Sequence, residues 1–358
     1  MGKRINSAVW LEKYGRWQIN VQKDGQRKTF SCSTPGRAGQ RECQAKADAW
    51  LDDGIEVKAR RVEDVVAAYL EDCKSRTSLS NYRGEEYRCR VWVLPQIGKL
   101  KLDNLGEQQL QKVITTAYAA GKSEKTLKNI RATLMALCKF ARRSRWTTFR
   151  PEEISIPASA PRYEKKIVQP DDLATIFSSS KTTWRGKVID DPFINAYRLQ
   201  IATGLRPGEL LGLMRSDRQG NVVHLSRAIN VFGEITQGKN QNANRTFILT
   251  PTALSIWEAQ EATSNSIYLF PGLKEDHYRH AWRRYCEHNK IPYVPPYNIR
   301  HTFVSMVQSL PEGWVKILVG HSKSMDTFGT YAHATVGLDE QIAAGVQAIF
   351  SDVLKGCL

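Results

Sequence analysis

Between Ser155 and Arg162 the chain reads Ser-Ile-Pro-Ala-Ser-Ala-Pro-Arg. Pro157 and Pro161 remove backbone donors and push the residues before them toward extended geometry, so neither a helix nor an inner strand runs through this stretch. The stretch reads as an extended linker, and a chain of 358 residues is long enough to build more than one core. Composition changes a second time after Trp50-Leu51-Asp52-Asp53-Gly54. The expected division is a small front segment (1–56), a middle segment (57–154), a linker (155–164), a large back segment (165–337) and a tail (338–358).

Charge separates these segments further. The whole chain carries +16, with 52 Lys and Arg against 36 Asp and Glu. The front nets +3 and the back, from residue 161 on, +4; residues 57–160 hold 20 basic and 11 acidic side chains, net +9. Such an excess favours a polyanion, and nucleic acid is the usual one, although ribosomal, membrane-surface and merely soluble proteins share the signal. With 41% hydrophobic and 25% charged residues, wholesale disorder is excluded. No run of about 18 apolar residues offers a membrane span. The start, Met1 to Trp17, lacks the apolar stretch of a secretory signal, so a cytoplasmic protein is expected. The seven cysteines form no CxxC-type pair, which supports neither a zinc module nor a disulfide framework; reduced thiols and no metal site are expected.

The front segment alternates. Trp17, Ile19 and Val21 point one way and Gln18, Asn20 and Gln22 the other; Asp24-Gly25 supplies a turn, and Arg27 to Cys32 returns. A strand near Val9–Lys13 makes the sheet three-stranded, and a helix from Arg41 to Leu51 covers its apolar face. The other face, with Gln18, Asn20, Gln22, Arg27 and Thr29, reads either as solvated polar surface or as a sheet laid in a DNA groove. The middle segment is helical, with stripes at Val62–Leu70, Tyr87–Val93, Leu110–Tyr118 and from Glu124 through Phe140, the last capped by Ser123. Around this last helix lie Lys122, Lys125, Lys128, Arg131, Lys139, Arg142, Arg143 and Arg145, with Glu124 the only acid between residues 122 and 151. A solvated helix face mixes in acids; this one suits phosphates.

The back segment predicts an apolar helix over Phe193–Thr203, then strands over Val222–Leu225, Ile229–Ile235 and Thr246–Leu249, then helices. Ala202-Thr203-Gly204-Leu205-Arg206-Pro207-Gly208-Glu209-Leu210 places an arginine on a turn between two helices. Taken alone, that block fits a helix-turn-helix or a structural turn equally well. About ninety residues later come Asn298-Ile299-Arg300-His301-Thr302-Phe303 and Leu318-Val319-Gly320-His321-Ser322, with Tyr331 in Thr330-Tyr331-Ala332-His333.

Two arginines, a histidine and a tyrosine in this order, within these blocks, resemble the tyrosine recombinase (phage integrase) family, in particular integrases of temperate phages and integrative conjugative elements. The middle segment, through Tyr87 to Leu105, resembles that family's helical core-binding domain, and the front resembles its arm-binding sheet more loosely. The resemblance implies a multidomain α+β fold: a three-stranded sheet with a helix, a helical core-binding domain, and a mainly helical catalytic domain with a small antiparallel sheet. It implies a tail that docks on a neighbouring protomer.

It also implies chemistry. Arginine stays charged and binds two oxygens at once, which suits Arg206 and Arg300 to a phosphate whose charge grows during transfer. His321 would add a hydrogen bond, Tyr331 would attack to give a 3′-phosphotyrosine, and Lys239, on a turn between strands, would protonate the leaving 5′-oxygen. Glu209 would support the Arg206 turn. Tyr297 stands where the family usually has histidine, and a neutral phenol orients groups without acting as a charged acid near pH 7. His301 follows Arg300 directly, about 100° around the helix, and reads as packing or support; His224, His277, His280, His288 and His333 have no partner spacing. The implied partners are double-stranded attachment sites (core and arm), a homotetramer on DNA, and accessory bending or excisionase-type proteins, with no membrane and no cofactor. A type IB topoisomerase and a non-catalytic sequence-specific DNA-binding regulator are the alternatives.

Overall fold

The computed structural model describes residues 6–23, 26–52, 60–236, 244–320 and 337–355. The chain divides into two compact units, Met1–Tyr163 and Glu164–Leu358.

In the first unit, β1 (Val9–Leu11), β2 (Arg16–Lys23) and β3 (Gln26–Cys32) form an antiparallel sheet in that order. Its register pairs Gln18 with Ser31, Asn20 with Thr29 and Gln22 with Arg27, so those polar side chains share one face. Ile19, Val21 and Cys32 point the other way, where Cys43 and Ala47 of α1 (Gly36–Asp52) bury them in a small cluster of their own. Helix α1 begins five residues before the expected Arg41, because Gly39 tolerates the close return of the chain after β3: a Cβ there would lie 1.7 Å from the Thr34 carbonyl oxygen.

The helical part of this unit contains α2 (Val62–Arg76), α3 (Leu79–Arg88), α4 (Leu94–Ile97), α5 (Glu107–Ala119) and α6 (Glu124–Arg143). The stripe expected over Tyr87–Val93 belongs to a longer run: α3 passes through one π-helical turn (Cys89–Val93) into α4. Pro95 has no N–H to give, and the wider turn, with Leu94 N–H bonded to the Cys89 carbonyl, carries the helix past it. Ser78 and Ser123 cap α3 and α6 by accepting from Asn81 N–H and Thr126 N–H. Val65, Val113, Ile114, Leu127, Ile130 and Leu134 sit at the centre of this second apolar cluster.

The second unit opens with α7 (Pro170–Ser178) and a hairpin of β4 (Lys181–Trp184) and β5 (Lys187–Asp190). The sequence reading contains no such hairpin; its turn is Arg185-Gly186, both at positive φ, where an Asn-Gly or Asp-Gly pair would have signalled it. Then follow α8 (Ile194–Thr203), α9 (Pro207–Leu211), β6 (Arg218–Gln219), β7 (Val222–Leu225), β8 (Ala228–Ile229), β9 (Ile235–Thr236) and β10 (Arg245–Ile248). The strand expected over Ile229–Ile235 is instead a tight turn between β8 and β9. Asn230 makes it, its side-chain oxygen accepting from Phe232 N–H and Glu234 N–H. As a result β9 pairs with β8, and β10 pairs with β7 in a separate sheet of order β10-β7-β6. The two strands expected to flank Lys239 are thus not partners of each other, and Lys239 itself lies outside the described residues.

Helices α10 (Pro251–Glu261), α11 (Glu275–His288), α12 (Pro296–Met306), α13 (Glu312–Val319) and α14 (Leu338–Val353) complete the unit around the buried α8. The apolar stripe of α14 was expected to seek a neighbouring protomer. In the single chain its own unit covers it: Val346, Phe350 and Leu354 join the main core, with the Phe350 ring 6.4 Å from Phe177 and 6.5 Å from Phe303. The Gln347 side chain also accepts from Thr252 N–H at 3.1 Å, a directional contact that adds to the apolar fit. Among the described residues no helix is long and apolar enough to cross a membrane and no cluster of His, Cys, Asp and Glu could hold a metal. The six described cysteines are buried free thiols.

Candidate active site

Helix α8 ends at Gly204, whose φ of +65° turns the chain sharply into Leu205 and Arg206. Arg206 caps α9. Its backbone N–H donates to Glu209 Oε2 at 2.9 Å and its guanidinium bonds the other carboxylate oxygen. Glu209 is only 2% exposed, so this pairing happens in a weakly screened place.

Arg300 arrives from the second turn of α12 and is also 2% exposed. Its Nη1 donates to the Gly204 carbonyl at 2.9 Å and lies 3.9 Å from Glu209 Oε2; its Nη2 donates to the Val319 carbonyl at the end of α13. A third arginine, Arg245 at the start of β10, grips Glu209 with both terminal nitrogens, at 3.2 and 3.1 Å, and donates Nε to the Leu318 carbonyl at 3.1 Å. Three guanidiniums thus surround one buried carboxylate, leaving a local charge of two positive units. Burial, then Arg206 and Arg245, push the Arg300 guanidinium down to about 10, against Glu209 and Tyr297, which leaves it charged at neutral pH. Burial pushes the Glu209 carboxyl up, but Arg245 and Arg206 outweigh it and hold the group below the usual carboxylate range.

The spacing of the two arginine-bearing elements is set from beneath by Gln200, which is fully buried on α8. Its side-chain amide donates to the Leu205 carbonyl at 3.0 Å, next to Arg206, and to the Pro296 carbonyl at 3.1 Å, at the head of α12. Its oxygen accepts from the Tyr278 hydroxyl. The amide is therefore fully matched, as a buried polar group must be.

Of the residues expected to act, Arg206, Glu209 and Arg300 meet. Tyr297 lies one turn before Arg300 on α12, 49% exposed, with its ring edge-on to His301 at 5.5 Å. His301 is half-buried beside it. Lys239, His321, Tyr331 and His333 lie outside the described residues. Arg245 and Gln200 were missed. For Arg245 a signal existed: on a strand it shares parity with Phe247, which is buried, so a charged side chain was due to point inward.

The other expected contact residues divide by how far they are already engaged. Gln18, Asn20, Gln22 and Arg27 line the uncovered sheet face, where Thr29 donates to Asn20 Oδ1 at 2.6 Å and Arg16 to Gln18 at 3.3 Å. On α6, Lys128 pairs with Glu124 at 2.8 Å and Arg143 with Asp72 at 2.8 Å. Arg131 and Arg142 each donate a guanidinium N–H to a carbonyl of the following segment, at Ile154 and Phe149, and so help to fasten it. Lys122 lies over the Trp92 ring. Lys125 and Lys139 are exposed, on the solvent side of the helix.

A sheet-and-helix front, a helical middle and a mainly helical back make up a fold like that of solved integrases. Residues 62–117 match the family model described as phage integrase, N-terminal SAM-like domain. Among solved structures, the Tn1549 transposon integrase in complex with transposon right end DNA superposes with a TM-score of 0.61 at 18% identity, covering 79% of this chain and 98% of that one. A lambda integrase dimer bound to a COC′ core site gives 0.60 at 12% identity over 94% of this chain and 100% of that one. A lambda integrase tetramer bound to a Holliday junction gives 0.56 at 12% identity, over 90% and 93%. No curated protein sequence matches the chain. Likeness at these identities establishes the fold.

Proposed function

We propose that this chain is a site-specific DNA recombinase that cuts and rejoins DNA through a 3′-phosphotyrosine intermediate, integrating or excising a mobile element. The observation that carries this reading is the convergence of Arg206 and Arg300 on the buried Glu209 within an integrase fold. A carboxylate that fixes two arginines preorganises a doubly charged clamp, and preorganised charge is what a phosphoryl-transfer transition state needs.

In the proposed reaction Arg206 and Arg300 bind the non-bridging oxygens of the scissile phosphate, and His321 adds a donor. The phenolic oxygen of Tyr331 attacks phosphorus while the bond to the 5′-oxygen breaks, and Lys239 gives that oxygen its proton. Attack by a 5′-hydroxyl of another strand reverses the steps and frees Tyr331. The phosphotyrosine keeps the energy of the original bond, so the cycle calls for no nucleotide cofactor. Tyr297 orients groups through a neutral hydrogen bond, and Glu209 and His301 act in support.

Segments 57–154 and 165–337 would hold the core site and segment 1–56 a distal arm site. Gln18, Asn20, Gln22 and Arg27 would meet the arm. Lys122, Lys125, Lys128, Arg131, Lys139, Arg142 and Arg143 would lie along core phosphates. Strand exchange between two duplexes requires a homotetramer on DNA, with accessory bending or excisionase-type proteins setting direction, in the cytoplasm. Incubation with nicked duplexes of many sequences, followed by a denaturing gel, tests the reading. A recombinase leaves a covalent adduct on its core site alone. A topoisomerase would leave adducts on many sequences and a regulator on none, and either result would overturn the proposal.

A further inference from the structure

Arg245 has no part in the roles given above, yet every nitrogen of its side chain is engaged. Its two terminal nitrogens take both oxygens of Glu209 and its Nε takes the Leu318 carbonyl. The side chain is 8% exposed, and the groups that hold it belong to the protein. The fork-to-carboxylate geometry fixes direction as well as distance.

Leu318 belongs to the last turn of α13, where carbonyls lack partners inside the helix and the helix dipole presents its negative end. Arg300 takes the adjoining Val319 carbonyl. One side chain on β10 therefore ties three parts of the unit: the carboxylate under the arginine pair, its own strand, and the helix end that precedes His321 in sequence. Among the described residues, Arg206, whose side chain is 20% exposed, would otherwise be the one close side-chain partner of Glu209, with Arg300 at 3.9 Å.

We propose that Arg245 is a positioning residue for strand cleavage. It holds Glu209 in the one placement that aims Arg206 and Arg300 together, and it pins the last turn of α13, without itself touching DNA. Lysine cannot replace it, since one ammonium cannot span both carboxylate oxygens and a carbonyl.

The inference rests on the proposed recombinase reading, and the test separates the two. The full chain is mixed with a nicked duplex bearing its core site, selected by binding from random-sequence DNA, and single-turnover adduct formation and affinity are measured for wild type, Arg245→Lys, Arg245→Met, Glu209→Gln and the Arg245→Met/Glu209→Gln pair. The expected result is affinity within about threefold of wild type and cleavage slowed about 10- to 100-fold in each single variant. Because the two residues act as one unit, the pair should be no slower than the slower single variant. Multiplying effects in the pair, or wild-type cleavage by Arg245→Lys, would overturn the inference while leaving the recombinase reading intact. Affinity lost in step with cleavage would instead make Arg245 a DNA ligand and overturn it too. Should Arg245→Met fail to fold, Arg245→Lys, which keeps the charge and the buried stem, decides alone. A wild-type chain that forms no adduct overturns both readings.

Discussion

Arg300 is bonded to two backbone carbonyls from different parts of the unit, Gly204 and Val319, before any phosphate is considered. Its place is thus fixed by the fold, and it cannot swing to compensate for a lost neighbour. Tyr297, by contrast, is half out in solvent and touches His301 by a ring edge. If it contributes one neutral hydrogen bond, Tyr297→Phe should slow single-turnover cleavage by ~0.5–1.5 kcal/mol, about tenfold at most. Tyr297→His should stay active and gain a pH dependence near about 6–7, whereas Arg300→Ala should lose roughly 100- to 1,000-fold. A Tyr297→Phe variant as inactive as Arg300→Ala would contradict the assignment. Arg206, Glu209 and Arg300 were legible in the sequence because each sits in a run of neighbours with a distinctive order. For Arg245 the strand parity shows an inward side chain but not its partner, and for Gln200 nothing shows it: Glu209 and Pro296 lie 36 and 96 residues away, and only the packed fold brings them together.

At the scale of elements, the α8–α9 turn depends on Gly204. Its φ is +65°, and an added Cβ would lie 2.3 Å from a Phe303 ring carbon, so Gly204→Ala must both strain the backbone and displace the ring. Chemical denaturation should show a loss of about 2–4 kcal/mol, with cleavage falling because the Gly204 carbonyl also anchors Arg300. An unchanged midpoint would refute that reading. On α6, the exposed Lys125 and Lys139 are the candidates for binding phosphate least occupied by internal partners. Changing both to alanine should flatten the log–log salt dependence of core-site binding by about 0.9 for each phosphate no longer neutralised. The same slope in the double variant would remove them from the interface. Long amphipathic helices such as α6 were readable because their period repeats over many residues. The β4–β5 hairpin and the split between β8 and β9 were not, since each rests on one local turn, at Arg185-Gly186 and at Asn230, whose backbone geometry the alternation of side chains does not encode.

For the molecule as a whole, three separate apolar clusters lie within residues 1–52, 62–160 and 168–354. The front cluster closes on itself under α1, which motivates a division of labour: removing residues 1–56 should spare core-site cleavage and abolish protection of a distal arm sequence. Footprints identical with and without the segment would end the arm-binding idea. Charge excess was visible in the sequence, because it follows from composition. Where the tail goes was not, because an apolar stripe says that α14 must be covered without saying by what. The proposed reaction turns on a covalent bond between DNA and one tyrosine. Trapping the adduct on a nicked core-site duplex, digesting the protein and sequencing the DNA-linked peptide by mass spectrometry measures this directly. A single phosphotyrosine is expected, at Tyr331, and none from Tyr331→Phe; linkage through Tyr297 or any other residue, or a Tyr331→Phe variant that still becomes attached, would contradict the proposed reaction.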